Sequence, residues 1–555
     1  MSKAKFKMWT AVSAILVANS FLVACSSNGS DNKGASTSPS ASASASPSTA
    51  ASASPAAATK YPMQTTTQVT FWQELTGNLV GVKSSQVDVP FYQNWTKVTG
   101  VPVKYITAPP NQGKETLNVM LASGDLPDMI DYNFLSFPGG PEKAIKDGYI
   151  LRLNDVIDKY APNLKKYLKD HPEIDKMSKT DNGSYYAFPF IRGDESLMVF
   201  QGPIIRKDWL DELGLQVPTT IDEWYTVLKA FKEKKGATAP LSLVGLPRPL
   251  NESGAGAFVG AYGVTRDFYL DGSTIKFGPM QPGFKDHLAN MRKWYSEGLL
   301  DKNLATADVK VLDANFVSGA TGATVGNAGG GIGRWQPLVE AKDPKAVLVP
   351  APYPVLKKGD TPKFGQRDDP FTPGGMVAIT AKSKNVELAA KMLDYGYSTE
   401  GGMFFNFGTE GVSYKLENGY PKYTDLLMKN PDKLVPAQAM ALHIRGNSGG
   451  PFIQDKRYIE QYLALPQQRD AINIWAKTDA AKTKLPPITP TPEESTEYAK
   501  IMTDIDTLVD EMTLKIILGT EPLDSFDKYV DKMKSLKIDR ALEIKKAALD
   551  RYNKR

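Results

Sequence analysis

One motif is typical of a nucleophilic serine, in residues 446–450 (GNSGG). In a hydrolase with this G-x-S-x-G spacing, an acid and then a histidine must follow the serine along the chain. The last of the three histidines, His443, precedes Ser448, and His171 and His287 stand in contexts typical of exposed helix positions. The pattern therefore favours a glycine-rich loop over a catalytic serine.

A second chemistry, glycoside cleavage, needs two carboxyl groups at a set separation. Asp194 and Glu195 are adjacent carboxylates in a polar segment between two predicted strands. Neighbouring residues of an extended chain point to opposite faces. We therefore interpret the pair as polar groups of a hinge, and we predict no catalytic residue.

Nucleotide and metal sites also lack their signatures. The glycine run 329–333 does not complete G-x-G-x-x-G, because Gln336 occupies the last glycine position, and no P-loop motif is present. With three scattered histidines and one cysteine, we predict no zinc site and no cofactor.

Aromatic and polar side chains near strand ends are the remaining candidates for ligand binding. Several follow predicted strands at the carboxyl edge, where open α/β sheets bind ligands. For each aromatic side chain, packing in the core and contact with a ligand both remain open. The candidates are Trp72, Glu74, Tyr132, Asn133, Arg192, Arg334, Trp335 and Phe371.

Strand and helix patterns alternate along the first part of the chain, which predicts an α/β fold. The stretch 185–224 runs from an extended segment through a polar patch into an apolar run. It ends in a helix introduced by a capping box of Thr220 and Glu223. This order predicts a strand that leaves one folded unit and begins a second. Residues 453–555 are mainly helical in pattern.

The N-terminal residues predict export. Residues 1–24 carry three lysines and then an apolar run, as in a signal peptide, and the lone cysteine, Cys25, follows a lipobox-like LVA. We predict lipidation of Cys25 and a disordered Ser/Ala/Pro tether over 25–60. Cleavage removes three lysines and no acids, so the net charge falls from +5 to +2 and does not favour nucleic-acid binding.

Several segments resemble one protein family when taken together. They are DNGSYYAFP (181–189), IRKDWLDELGL (205–215) and PTTIDEW (218–224), with SGDLPD (123–128) and GTEGVSY (408–414) in the expected order. The sequence resembles the family 1 extracellular solute-binding proteins, the sugar-capturing lipoproteins of bacterial ABC importers. The similarity is greatest to the large forms that serve oligosaccharide uptake.

The resemblance implies a two-lobed periplasmic-binding-protein-like fold, with hinge-linked lobes and a C-terminal helical part. It implies lobe 1 over 61–190 with 374–425 returning to it, and lobe 2 over 191–373 with 426–555 packing on it. It also implies that Trp335 and Phe371 face Trp72 and Tyr132 across the ligand cleft. Arg334 and Trp335 then follow a flexible loop at the sugar site.

Large members of the family often carry a calcium loop after the helix that contains Trp224. Here residues 231–240 (FKEKKGATAP) offer one carboxylate beside three lysines. Calcium requires several oxygen ligands, so we predict no calcium site at this position.

The resemblance implies an extracytoplasmic lipoprotein, anchored to the cell membrane, that binds a carbohydrate in oligosaccharide form. By hinge closure the protein would deliver the ligand to the transmembrane permease subunits of an ABC importer. We expect a monomer without enzymatic activity and without nucleic-acid partners. Two alternatives stay open: an extracellular carbohydrate-active enzyme, and a binding protein for peptides or another solute.

Overall fold

In the part of the chain that the structure describes, the strands form one large sheet, one small sheet and two hairpins. The computed structural model describes residues 59–244 and 256–555. Its strands are β1 (Val69–Glu74), β2 (Val103–Ala108), β3 (Met129–Asp131), β4 (Phe188–Arg192), β5 (Gln201–Arg206), β6 (Phe268–Asp271), β7 (Thr274–Phe277), β8 (Ala323–Asn327), β9 (Leu348–Pro350), β10 (Phe371–Ile379), β11 (Tyr414–Glu417), β12 (Tyr420–Tyr423) and β13 (Ile453–Gln454).

Helices cover these sheets and form the C-terminal part. They are α1 (Pro90–Thr99), α2 (Gly113–Ser123), α3 (Gly140–Lys146), α4 (Asn154–Tyr160), α5 (Pro162–Asp170), α6 (Pro172–Met177), α7 (Lys207–Glu212), α8 (Ile221–Lys235), α9 (Pro282–Ser296), α10 (Val309–Ser318), α11 (Gly333–Glu340), α12 (Val386–Asp394), α13 (Thr399–Phe407), α14 (Asp425–Met428), α15 (Pro436–His443), α16 (Lys456–Tyr462), α17 (Pro466–Trp475), α18 (Ala480–Thr483), α19 (Pro492–Leu518), α20 (Phe526–Ser535) and α21 (Ile538–Asn553). Within the described residues, no helix combines the length and apolar character needed to cross a membrane.

The first lobe is built on the six-stranded sheet β13-β4-β10-β3-β1-β2. Strand β1 pairs in parallel with β2 and β3, whereas β10 runs antiparallel to β3 and β4. Phe71 of β1 and Trp95 of α1 are almost fully buried beneath the sheet and meet edge to face. This packing fixes the carboxyl ends of β1 and β3 at one edge of the lobe.

The second lobe is built on the antiparallel sheet β8-β5-β9. Its core contains the fully buried Trp224 of α8 and Trp294 of α9, and the ring of Phe258 meets both edge to face. The predicted capping box is present: Thr220 Oγ1 accepts from the Glu223 amide at 3.1 Å, and Glu223 accepts from the Thr220 amide. The position at which α8 begins is therefore determined by these two neighbouring residues.

Within the described residues, the chain crosses between the lobes three times. It leaves β4 for β5 through residues 193–200, and returns from β9 to β10 through 351–370. It leaves again from β13, which pairs with β4 in the first lobe, toward α17, which packs on β5 and β9.

This third crossing corrects the expected lobe boundaries. The sequence-based division placed 426–555 on the second lobe, but β13 is an edge strand of the first sheet. The return to the first lobe therefore continues to about residue 454 rather than 425. The two-residue strand Ile453–Gln454 is too short to give a sequence signal of its own.

The C-terminal helices contact both lobes. Helix α19 packs along α9 of the second lobe and also touches α3 of the first. At the end of the chain, Arg551 and Arg555 hold the carboxylate of Asp181, with Nε–Oδ distances of 2.6 and 3.0 Å. These ion pairs join the end of α21 and the last residue of the chain to the first lobe, outside the three crossings.

Candidate ligand-binding cleft

A cavity of about 510 Å³ lies between the lobes, beside the crossings. Asn78 contributes to its wall from the first lobe, and Asn327 at the end of β8 contributes from the second. Phe200 from the first crossing and Tyr462 from α16 supply aromatic rings, and both are half-buried. The cavity thus combines side chains of both lobes with side chains of the segments that join them.

A second cavity of about 720 Å³ adjoins the first, because Phe200 and Thr372 line both. Its wall contains Phe268 of β6 and Tyr498 of α19, so the C-terminal helices help to close it. Together the two cavities form the inter-lobe cleft, which is lined by residues of α16 at one end and of α19 at the other.

Glycines shape the second-lobe wall of the smaller cavity. After β8, residues Ala328–Ile332 form a single π-helical turn. A Cβ atom on Gly329 would lie 2.3 Å from the ring of Tyr462, so only glycine allows this approach. The ring of Tyr462 in turn stacks on Tyr458 at 5.8 Å. The glycine run predicted as a flexible loop is therefore a packed turn that positions Tyr462.

Arg192 lines the cavity and ties the three crossings together. Its guanidinium pairs with Asp368 of the second crossing at 2.5 Å, and it donates to Leu197 O at 3.0 Å and to Gln454 Oε1 at 3.3 Å. The guanidinium also lies 5.3 Å from the centre of the Phe200 ring. The predicted candidate is thus in the cleft, but its charge is already matched by a carboxylate.

Charged groups also meet at the carboxyl edge of the first sheet. Burial raises the pKa of Asp131, at the end of β3, to about 6; Arg445 opposes this shift and Glu74 adds to it. The Glu74 carboxylate accepts a hydrogen bond from the backbone amide of Asn111. Glu74 is therefore half-buried and engaged with its own lobe.

The structure corrects the expectation for the aromatic pair Trp72 and Phe371. Phe371 lies in β10 of the first sheet, opposite Ile191, and not in the second lobe. Trp72 is only 3% exposed and shares a first-lobe core cluster with Phe371 and Leu117. Both rings pack within one lobe, although the edge of Phe371 reaches the larger cavity.

Trp335 is likewise a packing residue, which corrects the expectation that its loop leaves it free. It is 5% exposed in α11 and stacks on Phe316 with ring centroids 5.2 Å apart. Its indole N–H donates to Asp313 Oδ1 at 2.9 Å. A Cβ on Gly326 would fall 2.6 Å from this ring, so β8 and α11 meet closely here.

The other predicted residues lie outside the two cavities. Arg334 is half-exposed on α11 and pairs with Asp313, with an Nε–Oδ1 distance of 3.0 Å. The Tyr132 amide donates to Met376 O at 3.2 Å, and Asn133 Oδ1 accepts from the Leu135 amide at 3.1 Å. Of the eight candidates, the structure brings Arg192 and the edge of Phe371 to the cleft.

A family model of bacterial extracellular solute-binding proteins matches residues 81–403, more than half of the 555-residue chain. The chain belongs to this family.

Two curated relatives of this solute-binding protein carry names of carbohydrate-binding proteins. The fructooligosaccharide ABC transporter substrate-binding protein FusA of Streptococcus pneumoniae serotype 4 is 30% identical over 58% of the chain and 59% of its own length. The polygalacturonan/rhamnogalacturonan-binding protein YtcQ of Bacillus subtilis is 29% identical over 42% of the chain and 45% of its own length. The chain therefore spans less than two thirds of the length of these two relatives.

A solved structure covers more of the chain. The alginate-binding protein AlgQ2, in a crystal structure without calcium ion, superposes with a TM-score of 0.72 at 27% identity. The match covers 87% of this chain and 98% of AlgQ2. An extracellular solute-binding protein from Bifidobacterium longum subsp. infantis gives a TM-score of 0.71 at 20% identity, over 88% of this chain and all of the other. The predicted α/β fold of two hinge-linked lobes with a C-terminal helical part is confirmed.

Some cleft residues of the solute-binding protein were missed by the sequence analysis. Residues 446–449 of the motif that was interpreted as a glycine-rich loop line the smaller cavity, where the Ser448 hydroxyl donates to Asn447 Oδ1 at 3.1 Å. Phe200 is the last residue before β5 and could have been found from its position in the first crossing. Asn327 and Tyr462 carry no comparable signal, because the π-helical turn and the third crossing that position them are tertiary features.

The residues at the expected calcium position do not fit that ion. Helix α8 ends at Lys235 and is capped by Gly236, and Glu233, the one carboxylate of the segment, lies 3.9 Å from Lys229. Over 59–244 and 256–555, no group of three or more acidic, histidine or cysteine side chains is placed to hold a metal ion. We therefore give calcium no role in ligand binding by this protein.

Proposed function

We propose that this solute-binding protein binds a carbohydrate, in oligosaccharide form, in the inter-lobe cleft and delivers it to the transmembrane subunits of an ABC importer. The observation that carries the proposal is the pair of adjoining cavities, lined from both lobes and from the crossings. The names of the relatives, a fructooligosaccharide ABC transporter substrate-binding protein and an alginate-binding protein among them, support carbohydrate as the class of ligand.

The chemistry of the cleft suits sugars. The rings of Phe200 and Tyr462 offer apolar surfaces on which the C–H faces of a sugar ring can pack. The side-chain amides of Asn78 and Asn327 can both donate to and accept from hydroxyl groups. When such a ligand enters the cleft, its hydroxyl groups leave water but form hydrogen bonds with the amides. The free-energy cost of desolvation is therefore small.

Delivery would rest on hinge closure. A ligand shifts the equilibrium between open and closed lobes only by its greater affinity for the closed state. Asn78 and Asn327 belong to different lobes, so a ligand that contacts both favours closure. The three crossings, held together by Arg192, would then act as the hinge.

The protein would act at the outer face of the cell membrane as a monomer, anchored by a lipid on Cys25. Cys25 lies outside the described residues, so the support comes from the lipobox-like sequence and from a relative. That relative, lipoprotein LipO of Bacillus subtilis, is 27% identical over 65% of this chain.

The protein would bind its ligand without cleaving it. Asp194 caps a short helical turn through the Ser196 amide at 3.0 Å and pairs with Lys456 at 3.3 Å, and Glu195 pairs with Arg367. These contacts support a structural role for the carboxylate pair and argue against the enzyme alternative.

A thermal-shift screen of the purified protein tests the proposal. The panel contains oligosaccharides of several linkages and, as the rival class, short peptides. We expect at least one oligosaccharide to raise the melting temperature, confirmed by calorimetric titration, with no new reducing ends after prolonged incubation. Stabilisation by peptides alone would refute carbohydrate binding, and release of reducing ends would identify an enzyme.

A further inference from the structure

The charged side chains of the inter-lobe cleft are equally divided between cations and carboxylates. Within the described residues, four cationic side chains line the two cavities, and so do four carboxylates. The cations are Arg192, Arg367, Lys484 and Lys545, and the carboxylates are Asp267, Asp368, Asp369 and Asp506. The described walls therefore carry no excess of positive charge.

Each of these cations is also engaged by neighbouring groups. Arg192 pairs with Asp368 at 2.5 Å, as described above. Lys484 pairs with Asp369 at 3.0 Å and donates to a backbone carbonyl at 2.9 Å. Arg367 lies 3.6 Å from the Glu195 carboxylate.

The fourth cation, Lys545, lies over two aromatic rings. Its ammonium group is 5.8 Å from the centre of the Phe268 ring and 5.5 Å from that of Tyr498. On the same wall, Asp267 and Asp506 each lie 3.7 Å from the buried Arg266. Arg266 also pairs with Asp510, so three carboxylates surround the two cations of this region and, among the residues described, no positive charge is in excess there.

A carboxylate that enters such a cleft loses its hydration and needs a cation or several N–H groups in return. If a ligand carboxylate paired with Arg192 instead, the half-buried carboxylate of Asp368 would lose its ion-pair partner. That loss has a free-energy cost of its own. The hydroxyls of an uncharged sugar need only neutral side chains of the smaller cavity, such as the amides of Asn78 and Asn327.

We propose, building on the proposed carbohydrate function, that the cleft selects uncharged oligosaccharides and excludes those made of uronic acids. Selection would come from the internal ion pairs: among the described residues of the cleft, they leave a uronate carboxylate facing Asp368 and Asp369 without a free counter-charge. This is discrimination by an unfavourable contact with the wrong ligand rather than by a better contact with the right one.

Titration of the purified protein with two sets of tetrasaccharides tests the inference. The neutral set is nystose, stachyose and xylotetraose, together with fully methyl-esterified tetragalacturonate. The acidic set is free tetragalacturonate and tetramannuronate. We expect at least one neutral sugar to bind and each acid to bind at least about 100-fold more weakly than that sugar.

The ester and the free acid form a matched pair with the same sugar backbone, and they differ at each residue by the negative charge and one methyl group. Binding of either acid as tightly as the best neutral sugar, or of free tetragalacturonate more tightly than its ester, would overturn the inference. Failure of every sugar in both sets would instead overturn the carbohydrate function on which it rests, so the two failures are distinguishable.

Releasing one cation should change the selectivity. In Asp368→Asn, Arg192 loses its carboxylate, and we expect tetragalacturonate affinity to rise by about tenfold or more relative to the unaltered protein. Asp369→Asn should act in the same direction through Lys484 and serves if the first variant fails to fold. Asp170→Asn, in the exposed end of α5, is the control and should leave both affinities unchanged. No gain of acid affinity in either folded cleft variant would overturn the role of the ion pairs.

Discussion

Replacing Trp335 by alanine separates a packing role from a ligand-binding role. Trp335 is 5% exposed, stacks on Phe316 and fills the space above Gly326. Truncation of a buried tryptophan to alanine costs about 3–5 kcal/mol of folding free energy. Asp313 would in addition lose the indole N–H that it accepts at 2.9 Å.

The effect is measured as the melting transition of the ligand-free protein by calorimetry. For a domain the size of a lobe, about 1 kcal/mol lowers the melting temperature by roughly 2–4 °C. We therefore expect Trp335→Ala to melt about 10 °C lower. Trp335→Phe keeps a ring against Phe316 but loses the hydrogen bond, so it should cost about 1–2 kcal/mol and a proportionately smaller shift.

Two results with these variants would contradict the packing role of Trp335. If Trp335→Ala melts like the unaltered protein but binds its sugar far more weakly, Trp335 faces the ligand and the packing interpretation is wrong. Equal melting temperatures for the alanine and phenylalanine variants would contradict the stacking on Phe316.

Three further predictions concern acid stability, metal and anchoring. Burial lowers the pKa of His287 to about 3, so the folded protein resists its protonation and loses stability as the pH falls below about 6.5. Between pH 7 and pH 5, the free energy of unfolding in urea should therefore fall by about 2 kcal/mol less in His287→Leu than in the unaltered protein. The same pH dependence in both proteins would contradict the burial of this ring. Treatment with EDTA should leave the melting temperature unchanged, and a fall that calcium reverses would reveal a site missed over 231–240. Cys25→Ala should move the protein from the detergent phase to the aqueous phase or block its maturation, and unchanged partitioning would refute the lipid anchor.

The sequence was most informative where local chemistry decides the structure. The capping box at the start of α8 was predicted from Thr220 and Glu223, because such a box is complete within four residues. The order of strands and helices, and the resemblance carried by several short segments, were enough to predict two α/β lobes. His287 shows the limit, since its Lys-Asp-His context suggested exposure but the ring is fully buried between Tyr262 and Phe284.

The site was less predictable, because it depends on which segments the fold brings together. Phe371 was expected in the second lobe, but the register of β10 with β4 puts it in the first. Trp335 follows a glycine run that suggested a free loop, yet those glycines allow close packing of β8, α11 and Tyr462. The pairing of Arg192 with Asp368 joins residues 176 positions apart, and no local pattern announces it.

The measurement that tests the central claim most directly is calorimetric titration of Phe200→Ala with the best-binding sugar of the screen. Phe200 lines both cavities, so loss of about 60–100 Å² of apolar contact at about 25 cal/mol per Å² should weaken binding by roughly tenfold or more. Val119→Ala, at a site 71% exposed on α2 of the first lobe, is the matched control and should bind normally. Weakened binding in a Phe200→Ala protein that melts normally is the predicted result. Unchanged affinity in that variant would place the ligand outside the inter-lobe cleft and contradict the account.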